Sequence, residues 1–522
     1  MKYIKGKNRA QTYLFPVSLD DAIDAENEVR LIDVFVGSLN LEEFGFHVDH
    51  GENGRPAYHP RDLLKLFIYG YMNKIRSSRD LEKECKRNIE VMWLLGSLQP
   101  DHNTISNFRR DNPKAIKKVF RETVKIADYF NLIGGTLIAG DSTKFRAQNS
   151  KKNNFNQKKI DRHLAYIENK LQEYHEALAN SDGDDQEEIK GEIEKQKQRA
   201  GEYREIEAKL RESGESQVST SDPDSRQLIT RNNITEVGYN LQTTVDAKHN
   251  LPIDYKVTNS NDVKAMGNML QRAKSILGTN EFTALYDKGY HTGSELKTAH
   301  DLKITTLIAI PGQTVQAPDP AYNVENFTYV PEGDYYLCPQ NQQLTTTGNW
   351  YKGKFYNFKR YTTKACKTCH AKPLCSTATK GKGVHRSEFH EYIQNNKVRV
   401  EQNKALYKRR QAIVEHPYGT IKRQWGFSYI MTKKGAQRAS ADLGLMMTAY
   451  NLRRIINILG IEGLGRFLQD KTDLFLNKMA VLGRIWAQMQ TLVREPGFWN
   501  AYLLHPVNRL ILIKTSTANG GF

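Results

Sequence analysis

Two short apolar runs each end on a carboxylate. In GGTLIAGDSTKF the run from Leu137 to Ala139 leads to Asp141, and in EFTALYDKGY the run leads to Asp287. Each reads as a buried strand with an acid at its C-terminal end. Around them strand and helix signals alternate. NLQTTVDAKHN and LPIDYKVTNS form a hairpin about a Lys-His-Asn turn. Val263, Met266, Leu270 and Ala273 mark a helix that Gly278 ends. TGSELKTAHDL is a short helix, and KITTLIAIP a strand stopped by Pro311. From residue 134 the order is strand, helical insertion, strand, strand, helix, strand, helix, strand. Such an order builds an α/β fold, a mixed sheet flanked by helices.

The insertion is explicit. Ile160, Leu164, Ile167, Leu171, Tyr174 and Leu178 are spaced four, three, four, three, four, a heptad seam. NSDGDD makes a turn, and Ile189, Ile193, Ala200, Tyr203 and Leu210 carry the seam on. Residues 150–215 are therefore an antiparallel helical hairpin set into the surrounding domain, either to pair with a second subunit or to brace the fold.

Upstream, residues 1–130 read as helical. Leu64, Phe67, Ile68 and Tyr71 recur at helical spacing after Pro60, a favourable first-turn residue. Ser77 with Asp80 caps SRDLEKECKRN. HNTISNFRRDN buries Ile105 and Phe108 and leaves Arg109 and Arg110 exposed, an arrangement that resembles a helix-turn-helix. The plainer alternative is a helical bundle with a solvated basic face. Charge favours DNA: 76 Lys and Arg against 59 Asp and Glu give a net charge of +17 over 522 residues. No apolar run reaches 18 residues and MKYIKGKNRAQTYLF lacks a signal-peptide core, so neither a membrane-spanning nor a secreted chain is expected.

Five cysteines exclude a disulfide scaffold. Cys85 stands alone, while Cys338, Cys366, Cys369 and Cys375 fall in the otherwise loop-rich stretch 312–395. The close pair Cys366-Lys-Thr-Cys369 with two flanking thiols is a four-thiolate zinc pattern, structural because all four positions are filled. His370 is an alternative ligand, and four metal-free thiols the alternative state. Helical periodicity resumes near 397 and includes DLGLMMTAYNLRRIINILG; STANGGF reads as a frayed tail.

A third acid, Glu415, lies in the basic helical segment ALYKRRQAIVEHPYGTIKRQWGF. Carboxylates on a rigid scaffold suit Mg²⁺, and two such ions serve in-line phosphoryl transfer while Lys and Arg hold the backbone phosphates. Other candidates have plainer readings. Asp246 is a hairpin turn residue, and Asp222 and Asp224 flank Pro223 on the return from the insertion. His291 and His416 adjoin the acids without acting as bases, and Trp425 packs in the core rather than stacking on a base.

The segments GDSTKFRAQNSKKN, YDKGYHTGSEL and VEHPYGTIKRQWGF resemble those carrying the two Asp and the Glu of DDE transposases from bacterial insertion sequences. HPRDLLKLFIYGYMNKIRSSRDLEKEC, HNTISNFRR, DPDSRQL, GYNLQTTVDAKHN, AYNLRRI and the cysteine-rich YLCPQNQQL and YTTKACKTCHAKPLC are similar as well. The likeness spans roughly 45–460 and is nearest to the insertion-sequence family numbered eleven eighty-two. It implies an RNase H-like core and an enzyme that cuts element ends and joins them to target DNA. Asp141, Asp287 and Glu415 would hold two Mg²⁺, with Mn²⁺ able to substitute. Related transposases carry a Tyr, Arg, Glu, Lys signature with two, three and six intervening residues. Here Tyr407, Arg410, Glu415 and Lys422 are separated by two, four and six, so Arg409 competes with Arg410. Pro417 disfavours an unbroken helix there. Lys422 and Tyr407 are the expected contacts to the DNA strand.

The expected division is 1–130, a helical DNA-binding domain; 131–149 with 216–311, the catalytic core; and 150–215, the helical hairpin. Then follow 312–396, the cysteine-rich insertion; 397–460, the Glu helix and closing helices; and 461–522, a helical tail. The implied partners are double-stranded DNA, as terminal inverted repeats and target, and a second copy of the chain on that DNA. No membrane or small-molecule substrate is expected, and the location would be the bacterial cytoplasm, at the nucleoid. Rival readings are a nuclease without strand joining, an inactive DNA-binding descendant, and a zinc-stabilised interaction protein working through its hairpin.

Overall fold

Pro60 opens a helix because its missing N–H costs nothing in the first turn, and the side chain of Ser77 accepts from Asp80 N to start the next. In the computed structural model, which describes residues 18–47, 57–182, 185–229, 234–312, 316–353 and 355–494, with side chains up to 471, these belong to seven N-terminal helices. They are α1 (Glu28–Gly37), α2 (Leu41–Phe44), α3 (Pro60–Met72), α4 (Ser78–Arg87), α5 (Ile89–Leu94), α6 (His102–Asp111) and α7 (Pro113–Tyr129). Leu64, Phe67, Ile68 and Tyr71 of α3 are buried as their spacing requires, as are Ile105 and Phe108 of α6. The N-terminal segment MKYIKGKNRAQTYLF, the tail STANGGF and part of the NSDGDD turn lie outside the described residues.

The central sheet comprises β1 (Leu137–Arg146), β4 (Arg226–Ile229), β5 (Thr235–Asp246), β6 (Leu251–Thr258), β7 (Thr283–Tyr286) and β8 (Thr305–Ile308). A two-residue ladder of β2 (Asn154–Phe155) with β3 (Val218–Ser219) closes the base of the insertion. The order is β4-β5-β1-β7-β8, with β6 also on β5. β5 and β6 are a hairpin, β1 runs antiparallel to β5, and β7 and β8 run parallel to β1 and to each other. Three antiparallel strands followed by two parallel ones is consistent with the RNase H-like arrangement. β4, in DPDSRQL, is a strand that periodicity did not anticipate.

Two helices, α8 (Gln157–Ala179) and α9 (Asp185–Ser213), form the inserted hairpin between β1 and β4. Only Ile160, Ile167, Ile193, Gln196 and Leu210 are buried in it, so its heptad seam is thin. Beyond β6 come α10 (Met266–Leu277), ended by Gly278 in the left-handed conformation, and α11 (Gly293–Asp301).

Residues 312–395 correct the loop-rich expectation. They hold a five-stranded antiparallel sheet of β9 (Thr328–Val330), β10 (Tyr335–Leu337), β11 (Gln343–Lys352), β12 (Asn357–Thr362) and β13 (Val384–Ser387), in sequential order, with the one-turn helix α12 (Lys372–Cys375). Short strands rich in Thr, Tyr and Lys carry too little apolar alternation to announce a sheet. Its own small core is Phe327, Tyr336, Leu344, Tyr361 and Val384.

The chain closes with α13 (His390–Gln402), α14 (Lys404–Tyr418) and α15 (Ala436–Arg494), the last interrupted at Gly460, where φ 75° and ψ 169° leave helical space. One hydrophobic core joins α1–α7, one face of the central sheet, α10, α11 and α15. Asp442 on α15 lies fully buried at that junction. It accepts from Tyr71 Oη and Met431 N and faces the guanidinium groups of Arg76 and Arg109 at 3.7 Å each.

Candidate active site and thiol cluster

Parallel pairing sets Ala139 of β1 opposite Leu285 of β7. Asp141 and Asp287 each lie two residues further along and stand at matching positions. Asp287 falls just past the end of β7, and Asp141 in the middle of β1, which does not end at the acid as expected because pairing with β5 carries it on to Arg146. Gly140 is required there: a Cβ would come within 2.0 Å of the Tyr286 ring. Burial pushes the Asp141 carboxyl up to about 6, Arg410 offsets part of that, and the charges of Asp287 and Asp262 add to it. Asp287 accepts from Gly289 N at 2.8 Å and caps the single turn Lys288–Tyr290.

Helix α14 crosses the face of the sheet at this level. Its Ile413 and Val414 pack on Ala139, Val245, Leu285 and Leu307. From the same helix Arg410 donates to Asp141 Oδ2 at 3.3 Å, Tyr407 Oη to Tyr286 O at 3.1 Å, and Tyr418 Oη to Asp141 O at 3.0 Å. Tyr418 also shares a 2.5 Å hydrogen bond with Thr243 Oγ1. Pro417 does not end the helix at that point. The helix runs to Tyr418 and then widens over Gly419–Gln424, where Trp425 N reaches back to Thr420 O. Lys422, on that wider turn, donates to Thr143 Oγ1 at 3.0 Å and Lys144 O at 2.8 Å. Tyr407, Arg410 and Lys422 thus brace the helix on the sheet, while Arg409 is exposed. Glu415 is exposed on α14 and accepts from Gln411 at 2.9 Å.

A fourth acid, Asp262, went unnoticed in the sequence. Asn240 and Gln242 donate to its Oδ1 at 2.8 and 2.6 Å, and Lys144 stands 3.8 Å from Oδ2. A Cβ built on Gly289 would lie 3.0 Å from Asp287 Oδ1 and 3.7 Å from Asp262 Oδ2, which puts both acids around one glycine. NSNDVK reads as a turn before a helix, and only strand pairing brings it beside Asp287.

Asp246 accepts from Gly134 N, Gly135 N and Lys248 N, the work of a turn residue. Asp222 accepts from Tyr239 Oη and Gly435 N, and Asp224 from Ala436 N, tying the return of the insertion to the start of α15. His416 shares a hydrogen bond with Tyr450 Oη at 2.7 Å, burial lowers the pKa of His291, and Trp425 packs edge-on against Phe427.

Arg109 corrects the expectation of an exposed basic helix. It is 3% exposed and donates to Tyr71 Oη and Arg76 O at 3.0 and 2.9 Å. Facing Asp442, it has no surface left to offer a phosphate. A guanidinium on a mostly polar helix is buried here because α15, distant in sequence, supplies the counter-charge. Arg110 is partly exposed and forks onto the Asp111 carboxylate at 2.6 Å.

All four clustered cysteines line one small cavity, with Phe327, Leu344 and Gly381; His370 is not among its lining residues. Burial pushes the Cys375 thiol up, and Cys366, Cys338 and Cys369 push it further, as only near neighbours do. The fifth, Cys85, is buried and its thiol pushed up to about 11, as in a core residue. As placed, no three His, Cys, Asp or Glu side chains among the described residues stand close enough to share one ion. The donor sets nonetheless suit particular ions: carboxylate oxygens around Asp141 for a hard cation, four sulfurs for zinc. Among the described residues no helix is long and apolar enough to cross a membrane.

Comparison with known families returns two matches, a transposase domain (DUF772) over residues 17–111 and a transposase DDE domain over 337–456. The second spans Glu415 and all four clustered cysteines. Among solved structures, piggyBac transposase in a synaptic complex with hairpin DNA is similar at 10% identity and a TM-score of 0.30, over 85% of this chain and 77% of that one. That likeness is too slight to bear on fold or function. No curated protein matches the sequence.

Proposed function

We propose, for a chain that is an insertion-sequence transposase of the DDE type, that it cuts DNA at the ends of its own element and joins them to target DNA. The register-matched pair Asp141 and Asp287 under the Glu415 helix is the observation that carries this reading. Asp141, Asp287 and Glu415 would hold Mg²⁺, Glu415 by turning from Gln411 toward the two aspartates. A buried carboxyl raised to about 6 with a single arginine against it fits a site that takes a divalent cation. When bound, the ions supply charge stabilisation for the attacking and leaving oxygens of an in-line displacement.

The protein's own part is positioning. Arg410 holds Asp141, and Tyr418 fixes the backbone at Asp141 and the hydroxyl of Thr243. Water attacks the phosphodiester and frees a 3′-hydroxyl, which then attacks a target phosphodiester with its own 3′-oxygen leaving. Arg409 and Arg110 are the exposed members of the expected DNA-contact set. The thiol cluster would hold one structural zinc, and two chains would act together on paired ends, in the bacterial cytoplasm. Kinship with the family numbered eleven eighty-two belongs to the same reading.

A strand-cleavage and joining assay on labelled element ends with Mg²⁺ or Mn²⁺ tests it, comparing wild type with Asp287→Asn. Metal-dependent cleavage lost in the variant, with DNA binding retained, is expected. Cleavage without joined product would make the chain a nuclease. DNA binding by both proteins with no cleavage by either would make it an inactive descendant.

A further inference from the structure

Between Asp334 and Glu388 the chain carries ten Lys and Arg and no acidic residue. This stretch contains β10–β13. The inner face of their sheet is filled by Tyr336, Leu344, Tyr361 and Val384. Its other face is aromatic as well. Tyr351 lies opposite Phe358 in the register, with rings stacked at 5.8 Å. Phe358 stacks on His385 at 4.3 Å, and Tyr356 meets Phe358 edge-on at 6.4 Å. Tyr351 is 43% exposed and Tyr356 47%. Arg360 pairs with His385 across the strands, and burial together with Arg360 lowers the pKa of that imidazole. Trp350, 53% exposed, and Lys359, 5.6 Å from its ring centre, alternate to the opposite side, where Lys359 pairs with Asp334.

Exposed flat rings beside a cation, Arg360, in a stretch rich in Lys and Arg are what unpaired nucleotides bind: the rings stack on bases and the cations take the phosphates. A duplex hides its base faces and would use only the cations. A second copy would bring this basic stretch, Arg360 foremost on the face itself, against its like, which disfavours a self-contact. We infer that this face, Tyr351, Tyr356, Phe358 and His385 bordered by Arg360, binds a single-stranded DNA segment. The inference rests on the reading of the chain as a DNA-cutting enzyme and adds the state of the DNA: unpaired bases, such as cutting at an element end exposes.

The test uses the full chain, wild type against the double variants Tyr351→Ala/Tyr356→Ala and Tyr351→Phe/Tyr356→Phe. Binding is measured to a fluorescent single-stranded oligonucleotide and to the duplex of the same sequence, with cleavage assayed in parallel. The alanine pair is expected to weaken single-strand binding by roughly 5- to 150-fold, the loss of about one stacked base. Duplex affinity should move far less, and the phenylalanine pair, which keeps both rings, should behave as wild type. Equal single-strand affinity in the alanine pair and wild type overturns the inference, even if wild type cuts DNA normally and the transposase reading stands. A change of sedimentation from dimer to monomer in the alanine pair, without a change in single-strand binding, also overturns it and makes the face a contact between copies. Ring-dependent single-strand binding by a wild type that never cuts supports this surface while removing the transposase reading.

Discussion

The guanidinium of Arg410 donates to Oδ2 of Asp141 across 3.3 Å and ties helix α14 to the middle of strand β1. It is the salt-bridge partner of an acid that burial holds up at about 6. Removing it raises the carboxyl further, because its charge is the chief influence drawing the pKa down. The acid limb of metal-dependent cleavage in Arg410→Gln should therefore move to higher pH, by up to about one unit. An unmoved limb with a lower plateau would mean that Arg410 serves the DNA and not Asp141.

The same raised carboxyl bears on stability with a definite sign. Asp141 binds its proton more tightly folded than unfolded, so its native-state cost is absent below the ordinary value of 3.8 and grows as pH rises to about 6. Metal-free Asp141→Asn should thus be more stable than wild type at pH 7, by about 1–3 kcal/mol, and equal to it near pH 3.5. Thermal melts in chelator at the two pH values decide it. An asparagine variant less stable at pH 7 would show that the carboxylate is better satisfied than its burial indicates.

Arg109 and Arg110 are neighbours with opposite roles. Arg109→Ala leaves Asp442 buried opposite Arg76 alone and should cost about 3–5 kcal/mol. Arg110→Ala, losing a partly exposed fork to Asp111, should stay within about 0.5 kcal/mol. Urea unfolding measures both. A mild Arg109→Ala with strongly reduced DNA affinity would restore Arg109 to the DNA-contact set.

Lys422 and Arg409 divide in a similar way. Lys422 is spent on Thr143 and Lys144 of β1 and lies 5.1 Å from the centre of the Phe145 ring, whereas Arg409 is exposed. Lys422→Met should lower stability by about 1–2 kcal/mol and leave the salt dependence of DNA binding unchanged. Arg409→Met should reduce the slope of log affinity against log salt by roughly one. The reverse pattern would return Lys422 to the phosphates.

What periodicity carries, it carries well: the helices of the inserted hairpin, the hairpin of β5 and β6, Gly278 at the end of α10, and a strand ending just before Asp287. It ends the first strand too early, at Asp141, whereas pairing with β5 carries β1 on to Arg146. These signals are local, each written within about a dozen residues. The misses depend on distant partners. Arg109 is buried because α15 brings Asp442. Asp262 joins the acids because Asn240 and Gln242 on β5 hold it. Three members of the Tyr, Arg, Glu, Lys spacing, Tyr407, Arg410 and Lys422, hold their helix to the sheet. The sheet around the cysteines was hidden because its strands are short and polar.

Zinc gives the last prediction. With four thiols around one cavity, the protein purified without chelator should contain about one zinc per chain, and Cys369→Ser should contain none. Because the ion would bind the folded state alone, a strong chelator should lower the melting temperature of wild type and leave Cys369→Ser unaffected. The pH dependence follows from the thiols. Burial and three neighbouring thiols hold the Cys375 proton more tightly than usual, and zinc must displace it. Zinc affinity should accordingly fall as pH is lowered, with protons released on binding. Elemental analysis finding no zinc, with melts indifferent to chelator, would leave four reduced thiols packed as a small core beneath the β9–β13 sheet.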